Sequence, residues 1–198
     1  MKTLFIFGNG FDMNLGLKTD YQSYYDALIK KKEVQSVTKE LQKEIFKNRK
    51  NWADFEFTLG KHTNEITTES DFVNLYKDII ITLAEHLESE EKKLESYQID
   101  INKIKTELNN PISIIPTEEG RIRANLSAFK SSFNGNSNIN IITFNYTKSI
   151  EFIFGVTKNI TLNSQRNIDS IHHIHGDLRN RMILGVNDET QIKNKEFK

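Results

Sequence analysis

Leu4-Phe5-Ile6-Phe7-Gly8-Asn9-Gly10-Phe11-Asp12 is the stretch on which the fold turns. Leu4 to Phe7 is a short unbroken apolar run that stops at a glycine. A strand buried on both faces reads this way. Gly8-Asn9-Gly10 then turns the chain toward a helix. Glycine permits a positive φ and lets a ligand come close to the backbone. The unpaired N–H groups and partial positive charge of the following helix suit phosphate. Phe11 belongs to the same loop, and Asn9 and Asp12 have side chains able to bond a ribose or cap the turn. The expectation is the first βα turn of a nucleotide-binding α/β domain. The loop lacks the third glycine of the usual dinucleotide fingerprint and the Lys-Ser/Thr of a P-loop. Gly60-Lys61-His62-Thr63 does not replace the latter, because no glycine-rich loop precedes it.

Working outward, a helix is expected over about Tyr21 to Lys32, and residues 34–133 read as almost wholly helical. Phe72, Leu75, Ile79, Leu83 and Leu87 recur at helical spacing, and Leu94, Tyr97, Ile101, Ile104 and Leu108 continue it. The charged stretch Glu88 to Lys93 lies between them, so this is one long helix or two, ended by Asn109-Asn110-Pro111. Ser132 to Asn138 is a loop-forming cluster. Strand-like segments follow at Ile139–Phe144, Ile160–Leu162, Ser170–Ile174 and Met182–Val186, with a helix fitting between Lys148 and Phe154. Only the polar stretch Asn187–Lys198 remains after them. The expectation is one α/β domain over 1–198, truncated in its C-terminal covering helices, with a helical insertion at 34–133 between strands one and two.

Two further segments end strands in polar residues. Ligands bind at the carboxyl ends of strands in parallel α/β sheets. Thr143-Phe144-Asn145-Tyr146-Thr147 therefore puts Asn145 near the glycine loop, unless Asn145 merely caps the next helix. His172-His173-Ile174-His175-Gly176-Asp177 has two readings. In one, His175 is a lone base or ribose ligand and Gly176 allows close approach. In the other, His173, His175 and Asp177 share a face by alternation and bind a metal. The other histidines, His62 and His86, lie in the helical region, and Leu178 stands where such metal motifs carry His. No metal is expected, and a structural role is expected of His172 and of His173. Trp52, Phe55 and Leu59 have core spacing, and Glu56 beside them is within reach of the pocket from the helical region.

Bulk properties narrow the field. Lys plus Arg and Asp plus Glu are 27 each, for a net charge of zero over 198 residues. Such a chain has no overall basic field for nucleic acid or a membrane surface. It has no cysteine, which rules out disulfides, thiolate metal sites and a Cys nucleophile and fits a reducing compartment. The N-terminal apolar run is too short for a secretory signal, and Ile79-Ile80-Ile81 is far too short to span a bilayer. The expected location is the cytoplasm.

Taken together, Phe7-Gly-Asn-Gly-Phe-Asp12, Thr143-Phe-Asn-Tyr146 and His173-Ile-His-Gly176 follow the order seen in sirtuin-like domains. The chain resembles the AbiH family of bacteriophage abortive-infection proteins more closely. It shares with them Gly8-Asn-Gly-Phe-Asp12, Trp52-Ala-Asp-Phe-Glu56, Phe144-Asn-Tyr-Thr147 with Glu151, and Ile174-His-Gly176 with Ile183-Leu-Gly185. The resemblance implies a sirtuin-like Rossmann parallel sheet with a large helical insertion, and a role in stopping phage infection by arresting or harming the infected cell. It implies binding and hydrolysis of NAD, with Asn145 and His175 as catalytic residues. Gly8, Asn9, Gly10, Phe11, Asp12, Thr143, Tyr146 and Gly176 would line the nucleotide. Thr147 departs from the pattern, standing where sirtuins carry Asp, and Asp12 or Glu151 could supply that carboxylate. A phage-derived trigger and a homo-oligomer are the implied partners. Three other classes stay open: a nucleotide-binding sensor without chemistry, a metal-dependent hydrolase built on His173, His175 and Asp177, and a helical interaction protein assembling through residues 72–108.

Overall fold

A computed structural model describes residues 2–52, 54–132, 137–155, 160–163 and 166–184. The first strand, β1 (Lys2–Phe7), leads into a six-residue helix, α1 (Asn9–Asn14). All described elements from there to Ser137 are helical: α2 (Tyr21–Lys30), α3 (Ser36–Lys47), α4 (Phe55–His62), α5 (Glu69–Glu91), α6 (Ile101–Asn109), α7 (Gly120–Ser131) and short 3-10 turns. Then come β2 (Ser137–Thr143), α8 (Ser149–Phe154), β3 (Ile160–Asn163) and β4 (Arg166–His173).

The helix starts have local causes. The Asp20 carboxylate accepts from Ser23 N at 3.0 Å and opens α2, and Thr68 Oγ1 accepts from Asp71 N at 3.1 Å and opens α5. Leu75, Ile79, Leu83 and Leu87 form the buried stripe of α5. The chain leaves the α-helical path after Glu91, so the periodic stretch from 72 to 108 is two helices, with Asp100 capping the second and Asn110-Pro111 following it. Helices α2, α3 and α5 pack on one another around Tyr24, Tyr25, Leu28, Leu41, Ile45 and Phe55, all fully buried. Each such side chain contributes about 1.5–3 kcal/mol by leaving water.

The sheet order is β1-β2-β4-β3. Strands β1, β2 and β4 are parallel, whereas β3 runs antiparallel to β4. An all-parallel sheet is thus corrected at its edge. The physical reason is the connection: β4 begins at Arg166 rather than Ser170, so too few residues separate it from Asn163 for the crossover that a parallel pair requires. Polar cross-strand pairs hold the early part of β4, with Asn138 Nδ2 donating to Asp169 and Ser170 Oγ to Asn140, both at 2.7 Å.

One face of the sheet carries Phe5, Phe7, Ile139, Ile141, Ile168 and Ile171 and packs on Leu108, Ile150, Ile153 and Phe154. The expectation that β1 is buried on both faces fails. Its burial alternates, and Leu4 and Ile6 are 54 % and 64 % exposed on the opposite face. No described helix packs there against them. The segment expected to form a strand at Met182–Val186 runs as irregular chain over Met182–Leu184, and Gly185 and Val186 lie outside the described residues. After Gly176 the chain folds back, Ile183 N donates to His175 O at 2.8 Å, and Met182 and Leu184 enter the helical core.

Candidate active site

The backbone beyond the strand ends continues the ladder. Phe144 N donates to Phe7 O and Ile174 N to Thr143 O, both at 3.0 Å, and Leu178 N donates to Tyr146 O. These bonds bring three post-strand segments to one place. They and the helical region enclose a cavity of about 190 Å³. From behind β1 it is lined by Asn9 and Asp12, from behind β2 by Phe144 to Thr147, and from behind β4 by His175. The helical side supplies Thr19, Tyr21, Glu56, Leu83 and Leu87.

Of the residues singled out in the sequence, Asn9, Asp12, Asn145, Tyr146 and His175 therefore converge on one cavity. Thr143 lies behind it, fully buried, its hydroxyl accepting from Asn145 N at 3.1 Å. Phe11 turns away and packs its ring 4.7 Å from that of Phe7. Gly8 and Gly10 are exposed, and neither takes the positive φ expected of the turn. A Cβ added at either would meet nothing within 4 Å, so the backbone there is open to approach. Gly176 is different. It has φ +75, and a Cβ would fall 1.8 Å from Arg181 O. The fold-back of the chain itself requires this glycine.

Asp12 is the buried carboxylate of the site. It accepts from the Thr147 and Ser149 hydroxyls, both at 2.5 Å. Burial raises its pKa; the hydrogen bonds from Ser149 and Thr147 and the nearby Asn145 amide oppose this, the charge of Glu91 adds to it, and the net shift is upward. Asp12 thus places a carboxylate directly beside Thr147, bonded to its hydroxyl. Asn145 is 6 % exposed, and its Nδ2 has no hydrogen-bond partner among the described residues. The His175 ring stands edge-on to Phe144 with centroids 5.4 Å apart, and 6.2 Å from the Tyr146 ring.

His173 and Glu151 lie behind this layer. His173 Nε2 sits 2.8 Å from Glu151 Oε1, and its Nδ1 is 2.8 Å from the carbonyl oxygen of Asn145. Burial alone would push the imidazole down, but the Glu151 hydrogen bond, the Asn145 carbonyl and the charges of Glu151 and Asp177 outweigh it, and its pKa is raised. Both ring nitrogens face acceptors, so the protonated ring satisfies both. His173 thereby contacts the backbone of Asn145. His172, expected to play a structural role, is exposed on the other face of the sheet. Asp177 is bonded to Arg179 N, Asn180 and Lys148. His173, His175 and Asp177 therefore do not form a metal-ligand cluster among the described residues.

Sequence reasoning left Glu56 without a role. Here Asp54 caps α4 by accepting from Phe57 N at 3.0 Å, Phe55 is fully buried among Tyr21, Tyr24 and Tyr25, and Glu56 reaches the cavity. The Tyr21 hydroxyl donates to Glu56 Oε1 at 2.8 Å. Tyr21 was not singled out in the sequence at all. Its position in the first turn of a helix gives no hint of a partner 35 residues away. The Trp52 side chain lies outside the described residues.

Fold and cavity together define an α/β protein with a ligand-type site at the carboxyl ends of three parallel strands. The family model for AbiH, described as bacteriophage abortive infection AbiH, matches residues 4–198, and the chain belongs to that family. Membership places it in anti-phage defence by abortive infection. Neither the curated proteins nor the solved structures contain a match. Among the described residues no helix is long and apolar enough to cross a membrane.

Proposed function

We propose that the cavity binds NAD and hydrolyses it to nicotinamide and ADP-ribose, so that abortive infection acts by depleting the cell's NAD. The observation that carries this reading is the convergence of Asn145, His175 and Asp12, each from behind a different parallel strand, on one cavity. On this reading the parallel strands belong to a sirtuin-like Rossmann sheet, residues 34–133 are an insertion within one domain spanning 1–198, and the protein works in the cytoplasm. The open backbone at Gly8 and Gly10 leaves room for the pyrophosphate.

The reaction breaks the nicotinamide–ribose bond, the electron pair leaving with nicotinamide and positive character developing at the anomeric carbon. Water adds there and loses a proton. The Asn145 amide orients that water, and the His175 imidazole takes up a ribose or water proton. Asp12, buried and adjacent, stabilises the developing positive charge when ionised.

The test is nicotinamide release by purified protein, beside Asn145→Ala and His175→Ala. Wild type should release nicotinamide and ADP-ribose in equal amounts, and each variant should be slower by roughly a hundredfold or more. Unchanged turnover in both variants would remove the assignment. Tight NAD binding without turnover in the wild type would replace hydrolysis with a sensor function.

A further inference from the structure

The cavity is chemically lopsided. It is lined by the carboxylates of Asp12 and Glu56 and by the rings of Tyr21, Phe144 and Tyr146, and no lysine or arginine is among its described lining residues. An anionic group has no cationic side chain to pair with in that lining, and the two carboxylates repel it, so phosphates belong outside it. At about 190 Å³ the cavity is smaller than the ~300–1,000 Å³ usual for drug-sized ligands, a size that suits one end of a dinucleotide rather than the whole. Aromatic walls with nearby carboxylates favour a flat cation, through the negative faces of the rings and through Coulomb attraction in a partly dry site.

The two carboxylates are not equivalent. Asp12 is occupied by Thr147 and Ser149. Glu56 is half-buried and anchored through one oxygen by Tyr21. Its charge is felt on both sides of the cavity. Burial, and after it the proximity of Glu56, push up the phenols of Tyr21 and Tyr146 and keep them protonated. Tyr21 is thereby held as a donor to the carboxylate.

Resting on the reading of this cavity as an NAD site, we propose that Glu56 is a specificity-determining residue that contacts the substrate. Its carboxylate, set by Tyr21 among the rings of Tyr146 and Phe144, holds the positively charged pyridinium end of the oxidised nucleotide. The site therefore discriminates against the reduced nucleotide, whose dihydropyridine ring is uncharged. The same carboxylate would stabilise the positive character that develops as the glycosidic bond breaks.

The experiment is equilibrium binding to the full chain of three probes: the carba analogue of NAD⁺, which keeps the pyridinium charge but cannot be cleaved, NADH, and ADP-ribose. Wild type should bind the oxidised probe at least tenfold more tightly than NADH. Glu56→Gln, nearly the same shape without the charge, should lose about tenfold on the oxidised probe and less than twofold on NADH and ADP-ribose. Tyr21→Phe should show a smaller loss with the same selectivity. Equal loss on the oxidised and reduced probes, or no loss on either, overturns the charge-recognition role while leaving the NAD reading intact. Failure of wild type to bind any of the three overturns both. Thermal melts of the unliganded variants separate a fold defect, which would weaken all three probes together, from the selective effect.

Discussion

The imidazole of His173 faces a carbonyl on one side and a carboxylate on the other, and this makes the candidate site sensitive to pH. Its folded-state pKa is raised above the ordinary 6.5. Below that ordinary value the folded and unfolded chains both carry the proton, and the stabilisation from the charged ring is complete. As pH rises through the higher folded value the proton leaves and that stabilisation is lost. Wild type should therefore exceed His173→Gln in stability by roughly 1.5–3 kcal/mol at pH 5, the range of a charge-assisted hydrogen bond, with the gap shrinking above neutrality. Denaturant melts of both proteins across pH 5–9 give the difference, and a gap that widens with pH would contradict the charged-ring assignment. At this scale the sequence was informative about which residues stand at strand ends, because Asn145 follows the apolar run Ile141-Ile142-Thr143-Phe144 and His175 follows the strand-like segment Ser170 to Ile174. It was silent on who meets whom. The contacts of Glu151 with His173 and of Tyr21 with Glu56 join positions 22 and 35 residues apart, and no spacing rule reports them.

Helix α4 shows how an element delivers a single side chain. Asp54, Phe55 and Glu56 are consecutive, yet they act in three directions: a cap, a core anchor and a cavity wall. Removing the cap should loosen the first turn, which is where Glu56 sits. Asp54→Ala is expected to cost about 1 kcal/mol in stability. If the site reading holds, it should also weaken the oxidised-nucleotide probe more than it weakens ADP-ribose. Melts and the same binding assay check both parts, and unchanged stability would show that the cap does not hold the turn in solution. The long helices were readable because burial imposes a repeat, as in Leu75, Ile79, Leu83 and Leu87 of α5. The start of β4 was not. Arg166, Asn167 and Asp169 look like loop residues, yet Arg166 and Asn167 pair in register with β2, where Asn138 bonds Asp169 and Asn140 bonds Ser170. With that start misplaced, the antiparallel pairing of β3 was hidden as well.

Across the whole molecule, the cavity lies where the helical core, through Leu83 and Leu87, meets the strand ends of the sheet. The opposite side of the sheet is a different matter. Leu4, Ile6 and Ile174 are all at least 48 % exposed, and among the described residues β1 is an edge strand. A parallel sheet ordinarily has both faces covered, and an exposed apolar edge invites pairing with another chain. Helix α7 adds a second exposed apolar stripe in Ile122, Leu126 and Phe129. The run Leu4-Phe5-Ile6-Phe7 thus has the apolar character of a doubly buried strand while burying only half of it. Because Leu4 and Ile6 give up little burial, replacing both with threonine, which suits a strand, should change stability by no more than about 0.5 kcal/mol per site. The same double variant should associate less as concentration rises. Denaturant melts and light scattering over a concentration series measure the two effects. A loss of several kcal/mol would mean that these side chains are covered in the folded protein. Unchanged association at unchanged stability would mean that the face, apolar as it is, does not drive the protein to self-associate.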